Sequence, residues 1–343
     1  MKWLRSIAVA GAAGLAGVGV LALGLVVFGY DAVAALGALG RGGFGSWYAV
    51  TSATLVRAVP LIIIGLGLSV AFRAGALNIG GEGQFLAGAM AAAWIGLSVG
   101  SWPYPLGVLA VVLGGAAAGA VWVVVPVVLK LRFGVLEVIS TLLLNFVAES
   151  FVSFAVQGPL QESKGIYPQS DPLPVLVRLP ILPGTRLHLG LLVAVLVGIV
   201  LWVAFGRTRW GFRLRAVGEA PLAAAVSGRI SVGRTLAVGL VISAALAGLA
   251  GAFEITGVTY SLYQNLSPGY GFTAIAVALI ARLHPLGVIA AGIGFGALEA
   301  GASAMQREAN VPAAAVYVVQ ATIILLAVLS LGRSWLARAG TVG

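Results

Sequence analysis

Phe72-Arg73-Ala74-Gly75-Ala76-Leu77-Asn78-Ile79-Gly80-Gly81-Glu82-Gly83-Gln84-Phe85 decides how the rest of the chain is read. It is a polar, glycine-punctuated island between two apolar runs, 55–71 and 85–99. In hydrocarbon, an arginine, an asparagine, a glutamate and a glutamine would cost a few kcal/mol each at the bilayer centre. Such groups belong at an interface, against another helix, or along a wet path. The glycines permit tight turning and close backbone approach, and a half helix starting here would aim free N–H groups at whatever lies opposite. A plain cytoplasmic turn between two spanning helices is the competing reading.

Composition sets the class. Of 343 residues, 60% are hydrophobic and only 9% charged, and the mean hydropathy is +1.08. That is a polytopic membrane protein, with room for about eight to ten helices in one transmembrane domain, 1–343. Cysteine is absent, which excludes disulfides, a thiolate nucleophile and cysteine metal sites. The two histidines, His188 and His284, are too few for a histidine metal cluster. A formal net charge of +10 could suggest nucleic acid. In a membrane protein it is explained by basic cytoplasmic loops facing anionic lipid, so no nucleic-acid partner is expected.

Hydropathy places helices at about 6–30, 52–71, 82–99, 105–129, 134–156, 188–205, 236–255, 271–281 (short), 286–304 and 312–331. The glycine-rich 31–46 reads as a loop. The proline-dense 157–187 reads as an ordered extracytoplasmic loop, and 206–235 as the main cytoplasmic loop. This orientation puts both termini in the cytoplasm. Fourteen of the 20 basic residues then lie inside and six outside (Arg41, Arg57, Lys164, Arg178, Arg186 and Arg307), as the positive-inside rule requires. The helix at 52–71, its break and 85–99 echo the helix at 236–255, the break Ser267-Pro268-Gly269-Tyr270-Gly271-Phe272 and 273–280. The two breaks fall on opposite faces, the mark of an inverted repeat around a central path.

Enzymatic chemistry finds no support. A P-loop needs a lysine after glycine, and Lys2, Lys130 and Lys164 all follow other residues. Neither a catalytic triad nor a carboxylate pair is visible. Among the intramembrane acids Glu82, Glu137, Glu149, Glu254 and Glu299, four of the five lie near predicted helix ends, where interfacial solvation explains them. In the basic loop, 219–228 reads as a short helix. Pro221 suits its first position, Glu219 its positive end and Gly228 its closure. Ala224 and its neighbours leave a smooth surface, and arginines flank it.

Arg207-Thr208-Arg209-Trp210-Gly211-Phe212-Arg213-Leu214-Arg215-Ala216-Val217-Gly218-Glu219-Ala220-Pro221 resembles the coupling segment of ATP-binding-cassette importer permeases. The group is the one serving branched-chain amino acids, simple sugars and nucleosides. The opening stretch resembles that group's signature, as does Gly271-Phe272-Thr273-Ala274-Ile275-Ala276-Val277-Ala278-Leu279. Glu137-Val138-Ile139-Ser140-Thr141-Leu142-Leu143-Leu144-Asn145, followed by a long proline-rich loop, looks most like the nucleoside (purine or guanosine) permeases. Three positions depart from the pattern: Ala220, Arg229 and Ala281.

The resemblance implies an all-α inner-membrane permease with the architecture of the cobalamin importers. It implies a second, related or identical permease subunit, a cytosolic ATPase that binds the ATP, and an extracytoplasmic substrate-binding protein. No cofactor or metal is expected in this chain. Candidates for the path or gate are Asn78, Glu82, Gln84, Phe85, Ser140, Thr141, Asn145, Tyr263 and Phe272. Candidates for ATPase coupling are Arg213, Arg215, Glu219, Pro221, Ala224 and Gly228. Sugar or branched-chain amino acid transport is the alternative within the group, and an ion-coupled secondary transporter the alternative outside it.

Overall fold

Small residues at close spacing let this chain pack helices almost without side chains between them, and that shapes the bundle. The computed structural model describes residues 19–312, 317, 318 and 321. The predicted helices at 6–30 and 312–331 lie largely outside these residues, as do both termini. The described helices are α1 (19–27), α2 (Ala32–Phe44), α3 (Leu55–Arg73, entered through a π-helical turn Ala49–Thr54), α4 (Gly81–Ser98), α5 (Leu106–Trp122) and α6 (Val124–Phe133). They continue as α7 (Glu137–Gln157), α8 (Gly190–Arg207), α9 (Arg209–Glu219), α10 (Pro221–Val226), α11 (Val232–Glu254, leaving through a π-helical turn Ile255–Thr259), α12 (Tyr270–Ile280) and α13 (Pro285–Glu308). Among the described residues no β-strand forms, and six helical stretches are long and apolar enough to cross a membrane. The fold is that of an all-α polytopic membrane protein.

The chain divides into two compact units, one of residues 58–293 and one of 1–57 with 294–343. In the latter, Leu21, Leu25, Ala35, Ala38, Met305 and Val311 form a small core. The predicted loop at 31–46 is instead helix α2. Asp31 caps it, its Oδ1 accepting from the amides of Val33 and Ala34 at 2.9 Å each. Its glycines serve packing: a side chain on Gly42 would meet the backbone of Ala300 and Gly301 at 2.9 Å.

In the larger unit, α3 is buried on almost every side, whereas α5–α6, α7 and α8 leave most of their apolar surface uncovered. α4, α5 and α11 pack backbone to backbone. A Cβ on Gly119 would lie 2.9 Å from the Cα and N of Gly248, and one on Gly251 would lie 2.8 Å from Ala89 N. Close approach of this kind is the usual basis of helix association in lipid, where hydrophobic exclusion gives no drive.

One end of this unit collects basic residues. There Arg73 closes α3, its guanidinium donating to Leu283 O at 3.0 and 3.1 Å and lying 4.5 Å from the centre of the Phe205 ring. Lys130 pairs with Glu137 at 2.8 Å across the short α6–α7 connection. The opposite end carries the proline-rich loop, strapped to the tip of α11. Leu173 N and Ser170 N donate to Tyr260 O and Leu262 O at 2.7 Å, and Leu179 N donates to Thr256 O at 2.9 Å. Arg178 stacks over Tyr260 at 4.4 Å.

His188, where this loop enters α8, is buried against Phe253 and accepts from Gly190 N through Nδ1 at 3.2 Å. Burial pushes its pKa from 6.5 down to about 4. The native state thus excludes a proton that the unfolded chain binds, so the contribution of this group falls as pH drops from 6.5 towards 4 and is flat above. We expect the thermal midpoint of the purified protein to decline across that window, and the decline to be shallower in His188→Gln. Parallel pH profiles of the two proteins would exclude His188 as the source.

Candidate functional site

The polar island is a re-entrant segment. Gly75, at φ +80°, turns the chain back after α3, a conformation glycine adopts without strain. Residues 76–79 then run non-helical into the bundle. Asn78 reaches the level of Gly67, since its Nδ2 donates to Ser243 Oγ at 3.0 Å and Gly67 packs on Ser243. Gly67 precedes Arg73 by six residues, about 9 Å of helix rise.

Non-helical backbone at that depth has no water to satisfy it, so side chains do. Leu77 N donates to Glu137 Oε1 at 3.3 Å, Ile79 N to Thr141 Oγ1 at 3.2 Å and Gly83 N to Asn145 Oδ1 at 2.8 Å. Asn145 Nδ2 donates to Ile79 O at 3.0 Å. The Asn78 and Gln84 amides pair with one another at 2.9 and 3.0 Å, and Asn78 Oδ1 also receives Gly80 N. Glu137, Thr141 and Asn145 recur every four residues along one face of α7, the face presented to the break.

The second break re-enters from the opposite end, and the two tips meet. α4 runs from Gly81 towards Leu173 of the loop, which packs on Gly96, while α12 runs from Tyr270 towards Leu283 at the basic end. Their N-termini touch: Glu82 Oε2 accepts from Gly271 N at 2.7 Å. The carboxylate therefore caps the opposing half helix, where free N–H groups and the dipole both favour a negative charge. Phe85 meets Tyr270 edge to face at 5.8 Å. This tip-to-tip placement is what an inverted repeat requires.

Above the contact lies a cavity of about 750 Å³. Glu82 and Leu86 line it from α4. α7 contributes Glu149, Ser150, Ser153 and Gln157, and the α11–α12 connection contributes Gln264, Asn265 and Ser267. Gln264 Nε2 donates to Ser153 Oγ at 2.7 Å, and Gln157 Nε2 donates to the same oxygen at 2.8 Å. Among the described residues no lysine or arginine lines the space.

At the basic end, α9 and α10 form an elbow. Thr208 caps α9, accepting from Gly211 N at 3.1 Å, and Pro221 takes the first turn of α10. The end of α9 packs backbone to backbone on the turn after α3: Gly75 would place a Cβ 3.3 Å from Gly218 Cα, and Gly218 one 3.0 Å from Arg73 C. Leu222 and Val226 on α10 are 83% and 88% exposed, apolar knobs with none of the described residues over them.

Comparison with known proteins classifies this arrangement. Residues 50–328 match the family model described as the permease component of branched-chain amino acid transport systems. The chain is a member of that permease family. The guanosine ABC transporter permease protein of Bacillus subtilis is 38% identical to this permease over 89% of this chain and 88% of its own. The glucose ABC transporter permease protein of Haloferax volcanii is 37% identical over 92% and 85%. The nucleoside ABC transporter permease protein NupB of Lactococcus lactis is 32% identical over 79% and 77%. No solved structure matches.

Within the permease, the predicted path residues separate into groups. Asn78, Gln84, Thr141 and Asn145 share one buried network that holds the break, and Ser140 sits beside it, donating to Glu137 O at 3.2 Å. Glu82 joins the break to the cavity. Phe85 is buried between the two tips, whereas Tyr263 and Phe272 are partly exposed and outside the cavity lining. Of the coupling candidates, Arg213, Arg215 and Glu219 lie on α9, Pro221 and Ala224 on α10, and Gly228 follows at φ +66°. Sequence reading weighed Glu149 only as an ion-binding acid and passed over Ser153, Gln157, Gln264 and Asn265. The available signal was the four-residue spacing of Glu149, Ser153 and Gln157, which continues that of Glu137, Thr141 and Asn145 along α7.

Proposed function

We propose that this permease is the membrane subunit of an ATP-driven importer, with nucleosides as its cargo. The observation that carries the reading is the polar cavity resting on the meeting point of two interrupted helices. A nucleoside is neutral and rich in hydroxyls and ring N–H groups, and the carboxylates, amides and hydroxyls here are suited to bind it. The guanosine and nucleoside permeases among the relatives support this cargo. Glucose is the second reading, favoured by the Haloferax relative and by a lining in which, among the described residues, Phe154 is the one aromatic.

In this reading the basic end is cytoplasmic and both termini lie there. The α9–α10 elbow receives a separate ATPase subunit, which binds the ATP, through Leu222, Val226 and the flanking Arg213 and Arg215. The proline-rich loop faces outward and contributes to docking of a substrate-binding protein, and a second permease subunit, related or identical, completes the path. Because α9 rests on Gly75, movement of the elbow is delivered to the base of the re-entrant segment, and from there to the Glu82–Gly271 contact beneath the cavity.

The test is uptake of labelled guanosine and glucose by proteoliposomes holding the complete complex, with ATP inside and binding protein outside. Guanosine uptake dependent on ATP is expected. The double variant Pro221→Asp, Ala224→Glu should insert normally and lose uptake by tenfold or more. Uptake of glucose alone would replace the cargo assignment, and undiminished uptake by the double variant would remove the elbow from coupling.

A further inference from the structure

Glu149 stands eight residues before the end of α7 and twelve after its start, which places it about 12 Å and 18 Å from the two ends of the span. It is nevertheless exposed. A carboxylate at that depth is excluded from lipid, so it belongs to a wet path, and it does line the cavity. Its neighbours are already engaged. Glu82 caps α12, and Ser153 receives both Gln157 and Gln264. Among the described residues Glu149 has neither a hydrogen bond nor an ion pair. An ionised carboxylate only accepts, through two oxygens set side by side. With no cation among the described lining residues, its two oxygens are open to donors on what enters.

We propose that Glu149 is the specificity residue of the path, reading the edge of a base that offers two adjacent N–H donors. Guanine has that edge, with its ring N1–H beside its 2-amino group, and both carboxylate oxygens are used in parallel, the strong bidentate form. Adenine presents one donor beside a bare ring nitrogen, which would face the second carboxylate oxygen lone pair to lone pair. Hypoxanthine keeps the ring N–H and lacks the amine. The same carboxylate, with Glu82 behind it and no basic residue nearby, repels a phosphate, so nucleosides pass in preference to nucleotides. Sites built to hydrogen-bond a substrate group discriminate most strongly against analogues that lack it.

This assignment rests on the cavity being the cargo path, and the experiment separates the two claims. In the reconstituted complex, kcat/KM is measured for guanosine, inosine and adenosine with the wild type, Glu149→Gln and Glu149→Asp. Dividing variant by wild type for each substrate cancels the selectivity of the binding protein. Glu149→Gln should cut guanosine uptake more than tenfold and adenosine less than threefold, with inosine between, at an unchanged thermal midpoint. Where guanosine is the one nucleoside accepted, Glu149→Asp should retain at least a third of wild-type uptake while Glu149→Gln does not. Equal losses for all nucleosides, no loss, or an aspartate variant as inactive as the glutamine one overturn the role of Glu149. A wild-type complex that carries no nucleoside overturns the cargo reading instead.

Discussion

Gly251→Ala is expected to destabilise the bundle by about 1–3 kcal/mol or more, and Gly251→Leu to yield no monodisperse protein in detergent. A methyl group on Gly251 would drive into Phe85 O and come within 2.8 Å of Ala89 N. These are backbone atoms of α4, so rotamer changes offer no relief; the helices themselves have to separate. Separation is felt widely, because Gly88, Gly115, Gly119 and Gly248 form the same seam between α4, α5 and α11. It also loosens the Phe85–Tyr270 contact between the two half-helix tips. Gly206→Ala near the end of α8 is the control: none of the described residues lies within 4 Å of the new atom, and alanine is the better helix former by up to about 1 kcal/mol. Thermal unfolding of the three variants followed by light scattering and tryptophan fluorescence checks the expectation. If Gly251→Ala melts with the wild type, the helices do not approach as closely as described.

The membrane class and the break positions were legible because apolar runs and glycine-punctuated polar islands contrast sharply within one sequence. Pairing of the two breaks was legible from their similar grammar. Their meeting was not, since the contact of Glu82 with Gly271 N joins residues 189 positions apart and leaves no local periodicity. The glycine-rich 31–46 reads as a loop, although Asp31 caps a helix there. In water those glycines would weaken a helix, whereas in this unit Gly42 and Gly43 are needed for contact with the helix at Ala297–Ala304. α9 was hidden because its polar face suited a loop as well as an interfacial helix. The cavity was missed for a different reason. Four of its polar groups come from α7 and three from the α11–α12 connection, more than a hundred residues apart in sequence until folding brings them together.

Asn145→Leu is expected to reduce transport at least tenfold and to lower the thermal midpoint, with Asn145→Asp intermediate. Side-chain hydrogen bonds between membrane helices average only about 0.6 kcal/mol, because the separated helices find other partners. Asn145 is placed differently. It satisfies two backbone groups of a broken helix, accepting from Gly83 N at 2.8 Å and donating to Ile79 O at 3.0 Å. Leucine removes the partner of both groups, and a buried backbone group left bare costs about 1–3 kcal/mol. Aspartate keeps the acceptor for Gly83 N and loses the donor for Ile79 O, which is why it should fall between. Leucine keeps the branched shape but is larger than asparagine, so overpacking at this buried site adds to its loss; aspartate, the closer match in size, reports the lost donor. Uptake by the reconstituted complex and the melting curve of the purified subunit are measured on the same preparations. The chain of contacts from Asn145 through Gly83 to Glu82 and Gly271 predicts that both readouts move together. A leucine variant that melts normally and still transports at the wild-type rate would show that the break is held without Asn145.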